Sequence, residues 1–544
     1  MTPANGFTMY TANLKMPTGW SCTERGICTI DYETNQLHSI CRTPIVPFRR
    51  LRRLGSSEEK MEIAFWRDNQ WRTAIYPRST IFSNRGIMVL ADLGCTVTSE
   101  NAKMVVRFLT RLEAQNIDQI PLEDAVGTFG WQPGDRFLPG HSEGITLDID
   151  PSLRGMAAAY CQCGSMEQWV AHMAPHRERD EFRFILASSF AAPLLRIVKQ
   201  RTIIIHNWGN SRGGKTAALK AALSAWGDPE RLMVSFNGTQ VGLERMAAFF
   251  CDLPLGIDER QVAGGCQEAV EKIVYMLAGG VSKARGTKDG GLQPVQQWHT
   301  IALTTGEEPL STDASQTGVS TRVLEVYGAP FASEEDAALM HQQTVTDYGW
   351  AGPAYIAKVL ELGKQKIVGA YERMQKYVRE VSVGKNGAYI AGISAVALAD
   401  AMIDVWFFGG SQTASWERAK SMAANILHDQ IENNATNVNE NALQFVIDWV
   451  ISNEANFDSS VAVSNRLGFI SDDRKFVYIL PSELGKALEK AGYSSRKTLR
   501  YMAERNFITP EIDRNGKKAY SVRQWVDKRT SRFVKFHLDM ISEM

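Results

Sequence analysis

Net charge is missing. Sixty Lys and Arg residues balance sixty Asp and Glu across 544 positions, so no whole-molecule field steers the chain, and any anion site has to be local. Cysteine is scarce, eight in all and scattered, which excludes a disulfide framework and points to reduced thiols in a cytoplasmic protein. Cys22, Cys28, His38 and Cys41 match none of the usual zinc spacings, and Cys161 and Cys163 stand too close together for one. No apolar run approaches the ~20 residues that cross a bilayer. The opening "MTPANGFTMYTANLK" lacks the charged-then-apolar order of a signal peptide. The expectation is a soluble chain with no membrane partner. Internal repeats and low-complexity tracts are also missing.

What is present is ordinary globular composition, 44% hydrophobic and 22% charged, at a length that calls for several domains. Residues 1–150 read as a β-rich domain of short aromatic and β-branched runs. In "EIAFWRDNQWRTAIYP", Asp68-Asn69 separates two strand-like segments. Residues 151–330 open with helical spacing in "MEQWVAHM" and "EFRFILASSFAAPLLRIV" and then alternate short apolar strands with helices. That alternation predicts an α/β core with a parallel sheet. Residues 331–455 read as a helical lid or linker, with breaks at Gly349, Gly352-Pro353 and Gly409-Gly410. Residues 456–544 form a smaller basic domain; from 490 to 535 there are 13 Lys and Arg against 4 Asp and Glu.

The strongest motif lies in "IIIHNWGNSRGGKTAALKAALSAWG". Gly209, Gly214, Lys215 and Thr216 fit G-x-x-x-x-G-K-[ST] between a strand and a helix. Glycines let the backbone curl so that its N–H groups face a phosphate, and the helix N-terminus adds about half a positive charge. Residues Gly209, Asn210, Ser211, Arg212, Gly213, Gly214, Lys215, Thr216 and Ala217 are therefore candidates for holding ATP. Lys215 is placed to reach the β- and γ-phosphates and the Thr216 hydroxyl to ligate Mg²⁺.

About forty residues on, "LPLGIDE" ends an apolar segment on Asp258, a second candidate for Mg²⁺, and Glu259, a candidate to orient the attacking water. Pro254 is irregular for a central strand. In "HTIALTTGEEPL", Thr304-Thr305 closes another strand, and Thr305 is the candidate for sensing the γ-phosphate. Arg322, in "GVSTRVLEV", suits stabilising transition-state charge on a neighbouring subunit's ATP, which implies a ring. His206 reads as a packing residue, and "FRRLRR" at 48–53 as a solvated strand edge.

Taken in order, "FGWQPGDRFLPG", "FAAPLL", "GNSRGGKTAALKAALSAWGDP", "VGLERMAAFFCDLPLGIDE" and "TTGEEPL" resemble the ATPases of phages, plasmids and mobile islands catalogued as domain of unknown function 927, over roughly residues 20–410. The resemblance implies an AAA+ core related to minichromosome-maintenance-type replicative helicases, assembling as a hexamer around single-stranded DNA. It also implies a channel hairpin at "GGVSKARGTKDGGLQPVQQW", where Lys283, Arg285 and Lys288 are candidates for DNA phosphates. The arginine that such ATPases often use from the lid has no counterpart here beyond Lys385.

The tail "LPSELGKALEKAGYSSRKTLRYMAERNFITPEIDRNGKKAYSV" resembles a winged helix, its second helix carrying Arg496, Lys497 and Arg500 and its wing Arg514, Lys517 and Lys518. These are candidates for duplex DNA. The expected function is an ATP-driven DNA translocase or helicase replicating a phage or mobile element. The alternatives are an initiator or loader that uses ATP as an assembly switch, and a non-replicative NTPase acting on protein partners.

Overall fold

The computed structural model describes residues 6–538 apart from 32, 35, 57, 210–212, 259–266, 287–290, 311–321, 383–386, 433–437, 462, 464, 492, 494, 513–517 and 527–528. Within elements it leaves aside the side chains of 267–268, 387–388, 431–432, 438–441, 496–497, 504, 512 and 518. The chain divides into two compact units, Met1–Ala157 and Ala158–Met544.

The first unit carries a three-stranded sheet and a mixed five-stranded sheet whose central strand is Ile45–Arg53. Strands Glu59–Arg67 and Gln70–Pro77 form the hairpin expected around Asp68-Asn69. Both turn residues take positive φ, 53° and 58°, as a two-residue type I′ turn requires. Helix Ala102–Asn116 buries Val105, Phe108, Leu109 and Leu112 against this core. The "FRRLRR" run is not a solvated edge. It lies on the central strand, where Arg49 is held by Glu62 and Glu123 and Arg52 by Asp124. Ion pairing, which composition does not display, keeps these arginines in mid-sheet.

In the second unit, helix α1 (Asp180–Ile197) is buried without interruption from Phe182 to Leu195, as its nearly all-round apolar surface demands. Next come β1 (Ile203–Trp208), α2 (Lys215–Ser224), β2 (Val234–Ser235), α3 (Gln240–Phe250), β3 (Leu255–Asp258), α4 (Gln267–Gly279), β4 (Ile301–Gly306) and β5 (Val323–Tyr327). The five strands form one all-parallel sheet in the order β2-β3-β4-β1-β5. Pro254 precedes β3 and so costs no ladder bond.

Helices Glu334–Gln343, Ala351–Leu362 and Lys364–Val381 follow, then α5 (Gly387–Phe407) and α6 (Gln412–Glu432). Gly352-Pro353 is no break, since both sit in the first turn of Ala351–Leu362, where proline is tolerated. The expectation that no apolar run reaches bilayer length also needs correcting. Tyr389–Phe407, 19 residues, is long and apolar enough by composition, yet most of it is buried. It packs on α1 and α6, and a Cβ on Gly392 would meet Leu324 and Ile203 of the sheet.

A buried ion cluster ties α5 to the segment entering α1. Asp400 accepts from Arg177 at 3.0 Å and from Arg183, while Asp404 accepts from Arg177 at 3.0 Å, Arg418 at 2.5 Å and Ser415 at 2.6 Å. Burial pushes the Asp404 carboxyl up, but Ser415, Arg177 and Arg418 outweigh it and hold it below its ordinary 3.8. Stability from that shift is in place above the ordinary value and is lost as pH falls through the lower folded one. Asp400→Ala strands the buried Arg183 guanidinium and leaves Arg177 with Asp404 alone, so a loss of about 3–5 kcal/mol is expected. Calorimetric melting of the purified chain checks it.

Helix α7 (Val438–Ser452) joins a last core with α8 (Pro481–Lys490), α9 (Ser495–Glu504) and an antiparallel sheet that pairs Phe476–Ile479 with Arg529–His537 and the latter with Val522–Val526. Glu511–Ile512 pairs with Lys518–Ala519, so the expected strand pair is there.

Candidate active site

Because all five strands run the same way, β1, β3, β4 and β5 end together at one edge, where open α/β sheets place their ligands. Gly209 follows β1 with φ 141° and Gly214 caps α2 at φ 78°. A Cβ on Gly214 would come within 2.5 Å of Phe331 and 2.7 Å of Ala337, so only glycine fits this turn. Lys215 opens α2 and its Nζ donates to the Gly209 carbonyl at 3.0 Å. Burial lowers the pKa of that ammonium, and the nearby carboxylates of Glu307 and Asp258 counter the effect in part.

Asp258 closes β3 and is 9% exposed. One of its oxygens accepts from Thr216 at 3.2 Å and also from Thr305, so α2, β3 and β4 converge on a single carboxylate. A hydroxyl and a carboxylate are hard oxygen donors, and Mg²⁺ needs only one or two protein oxygens when phosphates and water complete its shell. The donor set fits that ion. Ala217 is fully buried behind the turn. Asn210, Ser211, Arg212 and Glu259 lie outside the described residues, and the described Gly213 immediately precedes Gly214.

The two threonines closing β4 face different partners. Thr305 meets Asp258, whereas Thr304 meets Nδ1 of the fully buried His206 at 2.7 Å, and His206 Nε2 donates to the Glu308 carbonyl at 2.9 Å. His206 thus ties β1 to the chain leaving β4 and holds Thr305 in register. An aromatic pair unmarked by any motif, Trp208 and Tyr327, packs at 4.6 Å beside Gly209.

Arg322 is not among these groups. It precedes β5, and its carbonyl accepts from Ile204 near the start of β1, so the length of β1, about 17 Å, separates it from the phosphate turn. Its guanidinium stacks over Tyr275 at 5.0 Å.

The expected channel segment is a hairpin held by Ser282 N–H to Gln296 at 2.9 Å and Gln293 N–H to Arg285 at 2.8 Å. Lys283 is exposed there, and Lys288 falls outside the described residues. Arg285 donates to the buried Glu244 of α3 at 2.5 Å. Arg285→Ala should therefore loosen the hairpin and raise protease cleavage within 281–297, whereas Lys283→Ala should not; limited proteolysis with mass mapping checks both.

In the basic domain Arg500 is exposed on α9. Arg496, Lys497 and Lys518 have described backbones but not side chains, and Arg514, Lys517 and Lys385 lie outside the described residues. Sequence reading missed the hairpin Val522–Val526/Arg529–His537, on which Arg523 and Trp525 share one exposed face and Trp525 is 69% exposed. The β-branched and aromatic residues of "VRQWV" were the available signal.

A family model described as Domain of unknown function (DUF927) matches residues 20–297, and one described as Cch helix turn helix domain matches 437–540. No curated protein matches the chain at a significant level. Among solved structures, "SCCmec type IV Cch - active helicase" aligns with TM-score 0.70 at 16% identity, over 97% of this chain and 99% of that one. The apo A form of the NrS-1 C-terminal region aligns with TM-score 0.24 at 11% identity, over 70% and 91%, too distant to carry an argument.

Proposed function

The chain belongs to the DUF927 family, and from that premise and the geometry of its phosphate turn we propose a cytoplasmic, ring-forming ATPase that moves along and unwinds DNA during replication of a phage or mobile genetic element. The observation that carries the reading is the convergence of Thr216 and Thr305 on Asp258 beside the Gly209–Lys215 turn. An end-to-end likeness to a chain titled an active helicase supports it at the level of fold. The helix-turn-helix match over 437–540 supports the DNA partner.

In this reading the turn's N–H groups and Lys215 bind the triphosphate of ATP. Mg²⁺, held by Thr216 and Asp258, would neutralise charge on the β- and γ-oxygens. Thr305 reports the γ-phosphate, and Glu259, next to Asp258, orients water for in-line attack. The strand order sets β4 between β1 and β3, which puts Thr305 between the turn and the acid, as the AAA+ reading requires. The full strand length between Arg322 and its own turn supports a role for it at the ATP of an adjacent copy, and the AAA+ reading implies a hexamer around single-stranded DNA. In this reading Lys283 and Lys288 are the cations that contact its phosphates, with Arg285 anchoring the segment that carries Lys283. Arg496, Lys497, Arg500, Arg514, Lys517 and Lys518 meet duplex DNA on the winged helix, joined by Arg523 and Trp525.

Fork unwinding by wild type and by Glu259→Gln tests the proposal. Unwinding that needs ATP and is lost in the variant supports it; ATP binding with slow turnover and no strand separation favours an initiator or loader, and hydrolysis indifferent to DNA favours an NTPase acting on proteins.

A further inference from the structure

At the edge of the sheet remote from the phosphate turn lies a cavity of about 480 Å³ between the starts of β1 and β5 and the ends of α1 and α4. Lys199, Arg201 and Arg322 line it together with Tyr275 and Tyr389, and none of its described lining residues is acidic. A second cleft of about 350 Å³ shares Lys199 and Arg201 and adds Arg196 and His299. Arg196 is committed to the buried Asp252 at 3.1 Å. Lys199 and Arg201, both exposed, have no ion pair with any described residue.

Lys199 and Arg201, side by side at one cavity, repel one another unless an anion joins them. The backbone adds a second sign, because Lys199 takes φ 55°, a left-handed conformation that glycine adopts at lower cost. Here a lysine ends α1 instead, which projects a cation beside the mouth of the cavity.

We propose that Lys199 and Arg201 are phosphate-binding residues that act with Arg322 on the triphosphate held in the phosphate turn of an adjacent copy. The inference rests on the ring reading above and deepens it: the half-site presented to the neighbour is a three-cation cradle instead of a single arginine. Arg322, braced on Tyr275, supplies the planar fork. Lys199 and Arg201, flanking the entry to β1, neutralise the outer phosphate oxygens.

The test compares Lys199→Ala/Arg201→Ala, Arg201→Lys and Arg322→Ala with wild type, measuring ATP affinity on dilute subunits and turnover on assembled protein at saturating Mg-ATP. The double variant is expected to bind ATP normally when dilute and to turn over at least tenfold more slowly when assembled, with Arg201→Lys between it and wild type. Wild-type turnover in the double variant, alongside a defective Arg322→Ala, overturns this inference alone. Wild-type turnover in assembled Arg322→Ala overturns the ring reading beneath it. If the double variant keeps its turnover but loses affinity for single-stranded or duplex DNA, the cleft is a nucleic-acid contact and the inference also fails.

Discussion

Alanine at Arg322 is expected to slow ATP turnover of the assembled protein by about 10³-fold, the lower end of what an arginine finger supplies. ATP affinity of the single subunit should stay near wild type. Both halves of that expectation follow from where β5 begins. The sheet is parallel, β1 pairs with β5 from Ile204↔Val323 to Trp208↔Tyr327, and the phosphate turn leaves β1 at the far end. A guanidinium at the near end has no route to its own subunit's γ-phosphate, so it contributes nothing to binding there. On the proposed reading it reaches a phosphate only across an interface, where its fixed charge meets the charge that develops in the transition state. Steady-state hydrolysis measured across protein concentrations, with nucleotide titrations at the lowest, separates the two effects. Lysine at 322 should rescue little, because a point charge does not replace a planar fork stacked on Tyr275.

Alanine at Lys215 is expected to abolish measurable hydrolysis, a loss of at least about 10²-fold, and to weaken ATP binding to dilute subunits as well. That second effect distinguishes it from Arg322→Ala. Lys215 opens α2 directly after a glycine that cannot be replaced, its ammonium lies across the turn at the Gly209 carbonyl, and Glu307 and Asp258 act on it as countercharges. Without it the turn keeps its backbone donors but loses the cation proposed to span the β- and γ-phosphates. Isothermal titration with a non-hydrolysable analogue, paired with phosphate-release kinetics, checks both halves.

Much of the core was legible because its signals are local. The β-branched run before Gly209, the helical spacing after Thr216 and the acid ending "LPLGID" each fall within one element, and periodicity reads single elements well. Asp68-Asn69 was legible for the same reason, since a two-residue turn is written in two residues. What escaped depends on pairs distant in sequence. Thr304 and Thr305 look alike in a string, and only the pairing of β1 with β4 sends one to His206 and the other to Asp258. Arg285 reads as a free cation until Glu244, 41 residues earlier, is folded against it. Arg49 and Arg52 read as an edge until Glu62, Glu123 and Asp124 arrive from neighbouring strands. Charge composition records how many cations a segment has, and the fold decides which are already engaged.

The most direct measurement mixes two inactive proteins, Lys215→Ala and Arg322→Ala, under conditions that allow subunits to exchange, and follows unwinding of a forked DNA with ATP. If separate copies supply the turn and the arginine, as proposed, some junctions in the mixture pair an intact turn with an intact arginine, and ATP hydrolysis should return where neither protein alone shows any, with strand separation following it. If the mixture, shown to have exchanged subunits, stays as inert as its components, each site is complete within one chain and the shared pocket proposed here does not exist.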